Sequence, residues 1–467
     1  MNKSQKIYIG LVDADLMNGG TRHPNLALLK LAGFLYDNNI KFRLILDNNE
    51  DVGIYSKIYI SKVFSFTPTP QLYIKSVGTK NESKFNIGGT GDYAVERSIS
   101  RFKCARDKDM TQLENDPFLC RFLNKRGGAK IRGIDMARQM PYYHLYDEYI
   151  QSKIAEGRKE SYFKDYRYFS IGFLTRGCIR HCPFCINKLE NTVYAYSELE
   201  WFLDDEKDDK GKLIRPYVYL WDDNFLAAAP EIWRPMLQQL IDSKRPFQFR
   251  QGLDERILAE SPYGEEIAEK LSKCKYYGDY IFAFDNWRDK DIIIKALKIW
   301  KSYNPKKETK FYLFCGYMMT NNDERLYKDI KELFLRIKVL MQFGCFGYVM
   351  RHEDYKKHEL SNIYVQIARW CNQPQFYRYM SFWEYSYRNQ SYWEQTVLKR
   401  SDIPNLKSYD EFLVDKANGY YDNIKICKPL QTCLNMLNRF DSHRDELLKL
   451  FNLRLKDLIN PSLWERR

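Results

Sequence analysis

No run of this 467-residue sequence approaches the roughly 20 apolar residues that a helix needs to span a bilayer, so no membrane association is expected. The opening "MNKSQKIYIGLVDAD" lacks the charged, apolar and small-residue regions of a signal peptide and runs straight into a strand-like segment. The expected location is therefore cytoplasmic. Repeats and low-complexity segments are absent too. Cysteine is not scarce, at eleven, but a cytosolic chain of this length has no use for a disulfide framework, because a reducing compartment keeps thiols reduced. What is missing around the cysteines is a second Cys-x2-Cys or a His-x3-His, the usual completion of a four-ligand zinc site.

Charge of one sign is in excess, 74 Lys and Arg against 61 Asp and Glu, for a net +13. The excess is diffuse, and its densest run is "CRFLNKRGGAKIRGIDMAR" (120–138), with six basic residues and one Asp. Such a run is a solvated loop or a nucleic-acid contact, and composition does not choose between them. The 36 tyrosines accompany many Lys and Asn, a bias that an A/T-rich coding sequence produces without any stacking surface.

Length allows two or three domains. Over the first 90 residues, "KIYIGLVDA" (6–14) reads as a buried strand and "HPNLALLKLAGFLYDNN" (23–39) as a helix. Strands are expected at 41–46, 57–64 and 84–89, which gives a Rossmann-like parallel sheet. "GGTG" (88–91) falls after the last of these, as a plain turn or a cofactor contact. Residues 94 to 160 form a polar, basic insertion and linker. A second alternation follows, with strands at 166–175, 217–225, 247–258, 280–286, 310–319 and 345–352 and helices at 230–244 and 291–303. Six strands alternating with helices predict a partial (β/α) barrel over 161–360. From 361 to 467 the pattern is mostly helical and aromatic.

The most informative stretch is "GFLTRGCIRHCPFCINKLE" (172–190), with Cys178, Cys182 and Cys185 in the spacing Cys-x3-Cys-x2-Cys. Thiolates bind zinc or iron–sulfur clusters. His181 adjoins Cys182 and is poorly placed to join it on one ion. A [4Fe–4S] cubane held by three thiolates, its fourth iron open to a ligand, fits three cysteines without a fourth. The other eight cysteines are scattered and suit a buried apolar role. Cys427 and Cys433 are a weak candidate for a second metal site.

This motif, with aromatic Phe184 before the last cysteine and the loop at the end of a first barrel strand, resembles the radical S-adenosylmethionine (SAM) superfamily. "TRGC", "WDDNF" and "QGLDERIL", with "HPNLALLKLAGFL", "GGTGDY" and "PYYHLYDEY" upstream, are similar to members carrying an N-terminal cobalamin-binding-like domain. The resemblance covers roughly residues 5 to 93 and 138 to 360. It implies that Cys178, Cys182 and Cys185 hold the cluster and that the open iron chelates the methionine part of SAM. Reductive cleavage then gives a 5′-deoxyadenosyl radical that abstracts hydrogen from a substrate. By the same resemblance Asp222, Asp223 and Asn224 meet the SAM amino group, and Gln251 and Arg256 the ribose and carboxylate. Phe184 and Asp285 complete the cofactor surroundings, and an electron donor such as flavodoxin or ferredoxin is implied. Plainer roles exist for two of these, Asp223 as an acid at a helix N-terminus and Arg256 as a surface charge.

The sequence departs from the family in two places. Cobalamin bound through histidine uses Asp-x-His-x2-Gly, whereas here His23 is followed by Pro24, Asn25 and Leu26. Cobalamin is then either held without a histidine or not held at all, and the second is favoured. The basic insertion from about Ala94 to Ala137 is also longer than the family usually carries, and its place between the two domains makes it a candidate lid or macromolecule contact, with nucleic acid the partner expected at 120–138. The substrate is not identified, nor are catalytic residues beyond the cluster. Methylation or another modification of the substrate is expected, and the alternative is a nucleic-acid-modifying or nucleic-acid-binding protein whose cysteine-bound metal is structural.

Overall fold

The computed structural model describes residues 8–90, 113–123, 134–188, 190–400 and 404–465. The chain divides into two compact units, Met1–Gln251 with Lys275–Tyr277, and Gly252–Cys274 with Gly278–Arg467.

In the first unit, β1 (Tyr8–Asp13) is buried along almost its whole length, as expected of a strand covered on both faces. It pairs in parallel with β2 (Lys41–Leu44) and β3 (Lys57–Ser61), and β3 pairs with β4 (Phe85–Gly88), in the order β2-β1-β3-β4. The crossover helix Leu26–Asp37 begins at Asn25, whose side chain accepts the Leu28 N–H at 3.2 Å and so satisfies an amide with no partner inside the helix. Ile9, Leu11, Leu28, Leu35 and Tyr59 pack on one side of the sheet, and Val12, Ile45, Tyr55 and Ile58 on the other. Gly88 ends β4. The following Gly89 has φ +109°, and a Cβ there would lie 2.2 Å from the Lys62 carbonyl oxygen. Close backbone packing against Lys62 thus explains this glycine without a cofactor.

The same unit continues with β5 (Phe169–Gly172), β6 (Thr175–Gly177), β7 (Val193–Ala195), β8 (Tyr217–Leu220) and β9 (Phe247–Phe249). β5, β8 and β9 form a parallel sheet in that order, whereas β6 and β7 form an antiparallel ribbon. The segment "PYYHLYDEY" joins this sheet to the N-terminal one. Tyr143 donates to the Phe202 carbonyl at 2.7 Å and accepts the Ile171 N–H at 2.8 Å, and Tyr146 donates to Asp13 at 2.8 Å.

In the second unit, β10 (Tyr280–Ala283), β11 (Thr309–Cys315) and β12 (Phe346–Arg351) make a parallel sheet in chain order. Helices Lys290–Tyr303 and Asp323–Gln342 are the crossovers. Arg336, 2 % exposed, donates to the carbonyls of Phe284 at 2.7 Å and Phe314 at 3.0 Å, tying its helix to the strand ends. Helices such as Asn362–Cys371, Phe382–Val397 and Lys428–Arg439 fill the C-terminal region and bury Trp370 and Trp383. The expected α/β architecture, with its N-terminal parallel sheet and helical end, is thus observed. Of the eight described strands that follow the N-terminal sheet, six sit as two three-stranded parallel sheets and two as the β6–β7 ribbon. Among the described residues no helix is long and apolar enough to cross a membrane.

Candidate functional site

The three cysteines lie in the loop between β6 and β7, beyond the end of β5. The β6–β7 ribbon that frames the loop pairs Gly177 with Val193. At Gly177 φ is +102°, and an added Cβ would meet the Thr192 carbonyl oxygen at 2.0 Å, so the residue before Cys178 must be glycine. Within the loop the Cys185 N–H donates to the Cys182 carbonyl at 2.9 Å. His181 is exposed, and its Nδ1 lies 2.9 Å from the Lys188 carbonyl, which fixes that nitrogen as the protonated one. It serves the loop as a tie. Cys178, Cys182, Phe184 and Cys185 are all half-buried, and none of the described cysteines is in a disulfide.

The Asp222-Asp223-Asn224 segment after β8 meets this loop directly. Asp222, 1 % exposed, accepts the Thr175 N–H at 2.6 Å, the Thr175 hydroxyl at 2.7 Å and the Leu174 N–H at 3.2 Å. Burial nevertheless pushes its carboxyl up to about 6. Asp223 accepts the Gly177 N–H at 3.1 Å through one oxygen and the Asn187 side-chain amide at 2.8 Å through the other. Arg176 stands 3.7 Å from the same carboxylate, its guanidinium carbon 3.8 Å from the Phe173 ring centroid. Asn224, 3 % exposed, directs its amide at the Cys178 sulfur, 3.5 Å away.

The remaining sequence candidates fall elsewhere. Gln251 is exposed, beyond the end of β9, in the first unit. Arg256 and Asp285 belong to the second unit. Arg256 is half-buried there and pairs with Asp254 at 2.7 Å and Asp289 at 3.5 Å. Asp285 accepts the Phe314 N–H at 3.1 Å, and burial raises its carboxyl above the usual range. Lys125, Arg126, Lys130 and Arg132, the centre of the basic run, lie outside the described residues, as does Gly91 of "GGTG". Asn187 and Arg176 were not singled out from the sequence. "TRGC" held a faint signal for Arg176, and nothing local marks Asn187.

A cubane takes one thiolate per iron, so its ligands need not converge on a point, and donors aimed at sulfur steady bound thiolates. Among the described residues no three His, Cys, Asp or Glu side chains gather as they would around one ion. Donors to sulfur are present: the Arg180 N–H reaches Cys178 at 3.3 Å and the Asn187 N–H reaches Cys185 at 3.4 Å. The loop fits a cluster on these grounds. Cobalamin held through histidine is not supported in the same way. His23 places Nε2 3.1 Å from the Arg250 guanidinium, which occupies that nitrogen, while Nδ1 lies 2.7 Å from an Asp165 oxygen without a hydrogen bond.

No family model and no curated protein matches the chain. Two solved structures of the cobalamin-dependent S-adenosylmethionine radical enzyme OxsB do. The form with aqua-cobalamin bound matches at TM-score 0.37 and 14% identity, covering 77% of this chain and 52% of that one. The apo, selenomethionine-labelled form matches at TM-score 0.36 and 14% identity, over 74% and 49%. The chain therefore spans about half the length of the structures it matches. At these scores the likeness carries no functional argument.

Proposed function

We propose that this chain is a radical SAM enzyme, with Cys178, Cys182 and Cys185 as the protein ligands of a [4Fe–4S] cluster. The observation that carries the reading is the loop itself. Three half-buried thiols follow the first strand of a parallel sheet, with N–H donors directed at Cys178 and Cys185. Cys178, Cys182 and Cys185 would hold such a cluster, which when bound and reduced would supply the single electron for reductive cleavage of SAM. The chain's own part is to hold the thiols in place and keep water from the reacting atoms. The resemblance assigns Asp222, Asp223, Asn224, Gln251, Arg256, Asp285 and Phe184 to the cofactor surroundings, and an external one-electron donor of the flavodoxin or ferredoxin kind would reduce the cluster. The N-terminal sheet is read as keeping its fold without offering a histidine to cobalamin.

The test is anaerobic reconstitution with iron and sulfide, followed by EPR of the dithionite-reduced protein. A [4Fe–4S]⁺ signal that shifts on adding SAM, with 5′-deoxyadenosine formed on turnover, supports the reading. One zinc per chain, no cluster and no response to SAM would end it.

A further inference from the structure

The sequence resemblance gives the Asp222-Asp223-Asn224 segment to the SAM amino group, but its side chains already have work in the loop. Asp222 binds the backbone at Leu174 and Thr175, Asp223 binds Gly177, and Asn224 reaches Cys178. Three consecutive residues thus engage successive points on the approach to the first cysteine. Asp223 does one thing more. Its second oxygen takes the Asn187 amide at 2.8 Å, two residues beyond Cys185, so one carboxylate closes the cysteine loop at both ends.

We infer that Asp223 is a positioning residue that clasps the cysteine loop by joining Gly177 to Asn187, and that this clasp, with Asn187 as its second half, sets the three thiols for metal uptake. The inference rests on the reading of Cys178, Cys182 and Cys185 as metal ligands. The physical reason is the cost of order. A loop running from Cys178 to Thr192 must give up backbone freedom before its thiols stand in a fixed array. Hydrogen bonds to a charged acceptor are stronger than neutral ones, and the carboxylate is only 14% exposed, which limits competition from water. Arg176, packed against Phe173, adds a positive charge 3.7 Å from the carboxylate oxygen that accepts Gly177. A residue devoted to SAM would act alone, whereas a clasp needs both of its halves.

Asn187 therefore provides the test. Asn187→Ala, Asp223→Ala and Asp223→Asn are made in the full chain. Thiols of the metal-free proteins are labelled with N-ethylmaleimide and resolved by peptide mass, and iron is counted after reconstitution and gel filtration. Both alanine variants are expected to label Cys178 and Cys185 roughly tenfold faster than the parent and to retain several-fold less iron, with Asp223→Asn in between. Cys120 and Cys427, outside the loop, should label at the parental rate, which reports that the fold survives. The inference is overturned if Asn187→Ala labels and reconstitutes like the parent. It is also overturned if Asp223→Ala keeps its iron and loses only the EPR response to SAM, since Asp223 would then contact the cofactor. If the parent takes up no cluster, the proposed function fails but the labelling still decides the clasp, which stands only if both alanine variants speed it.

Discussion

Tyr146 donates its hydroxyl hydrogen to the carboxylate of Asp13 across 2.8 Å and 133 positions of sequence. The same hydroxyl accepts the Asn25 N–H at 3.1 Å. Asp13 ends β1 and is 1 % exposed, also accepting the Leu16 N–H at 3.1 Å. Burial outweighs these bonds and pushes its carboxyl up from 3.8 to about 6.

That shift gives stability a defined pH dependence. A carboxyl raised in the folded state holds its proton more tightly there than in the unfolded chain. Its contribution is therefore fully present below the unfolded value and is lost as pH rises through about 6. About two pKa units at about 1.4 kcal/mol each amount to about 3 kcal/mol. Asp13→Asn, which cannot ionise, should gain on the parent as pH rises from 4 to 7. Melting temperatures of the two proteins across that range check it, and a difference that stays constant with pH would rule it out.

Tyr146→Phe removes a donor to a buried carboxylate and the acceptor of the Asn25 N–H. The expected loss is about 2 to 4 kcal/mol above pH 6, since two buried groups are left without that partner. It should shrink toward pH 4, where Asp13 is protonated in both proteins. Urea denaturation at the two pH values measures it, and an equal loss at both would place the cost in packing alone.

Gly177→Ala should damage the cysteine loop more than a surface substitution can. The new methyl would sit 2.0 Å from the Thr192 carbonyl oxygen in a backbone with φ +102°. Strain of this kind costs about 1 to 3 kcal/mol, and relief requires the β6–β7 ribbon to open. Iron retained after reconstitution should fall sharply, and full retention would show that the ribbon does not frame the proposed cluster site.

Cys178→Ala, Cys182→Ala and Cys185→Ala should each abolish stable cluster binding, because a three-thiolate site has no spare ligand. Cys427→Ser and Cys120→Ser should leave iron content at the parental level. Ultraviolet–visible absorption and iron counts separate the two groups. A cluster that survived loss of one of the three would mean a ligand elsewhere in the chain.

The sequence by itself determined the α/β class, the order of the parallel strands and the three-cysteine loop, but not the antiparallel β6–β7 ribbon that frames that loop. These rest on local periodicity and spacing: buried parallel strands read as apolar runs, and Cys-x3-Cys-x2-Cys lies within a few residues of chain. Observed strands are shorter than expected, as in β9, Phe247–Phe249 within 247–258, where the polar stretch from Arg250 leaves the sheet and a helix begins at Arg256. Only the tertiary structure decided how the elements meet. It gave Asp222 to Thr175, Asp223 to both Gly177 and Asn187, and His23 to Asp165 and Arg250. Asn187 stands 36 positions from Asp223, and a hydrogen bond over that separation leaves no periodic trace in the chain, since it depends on where β6 and β8 end in space.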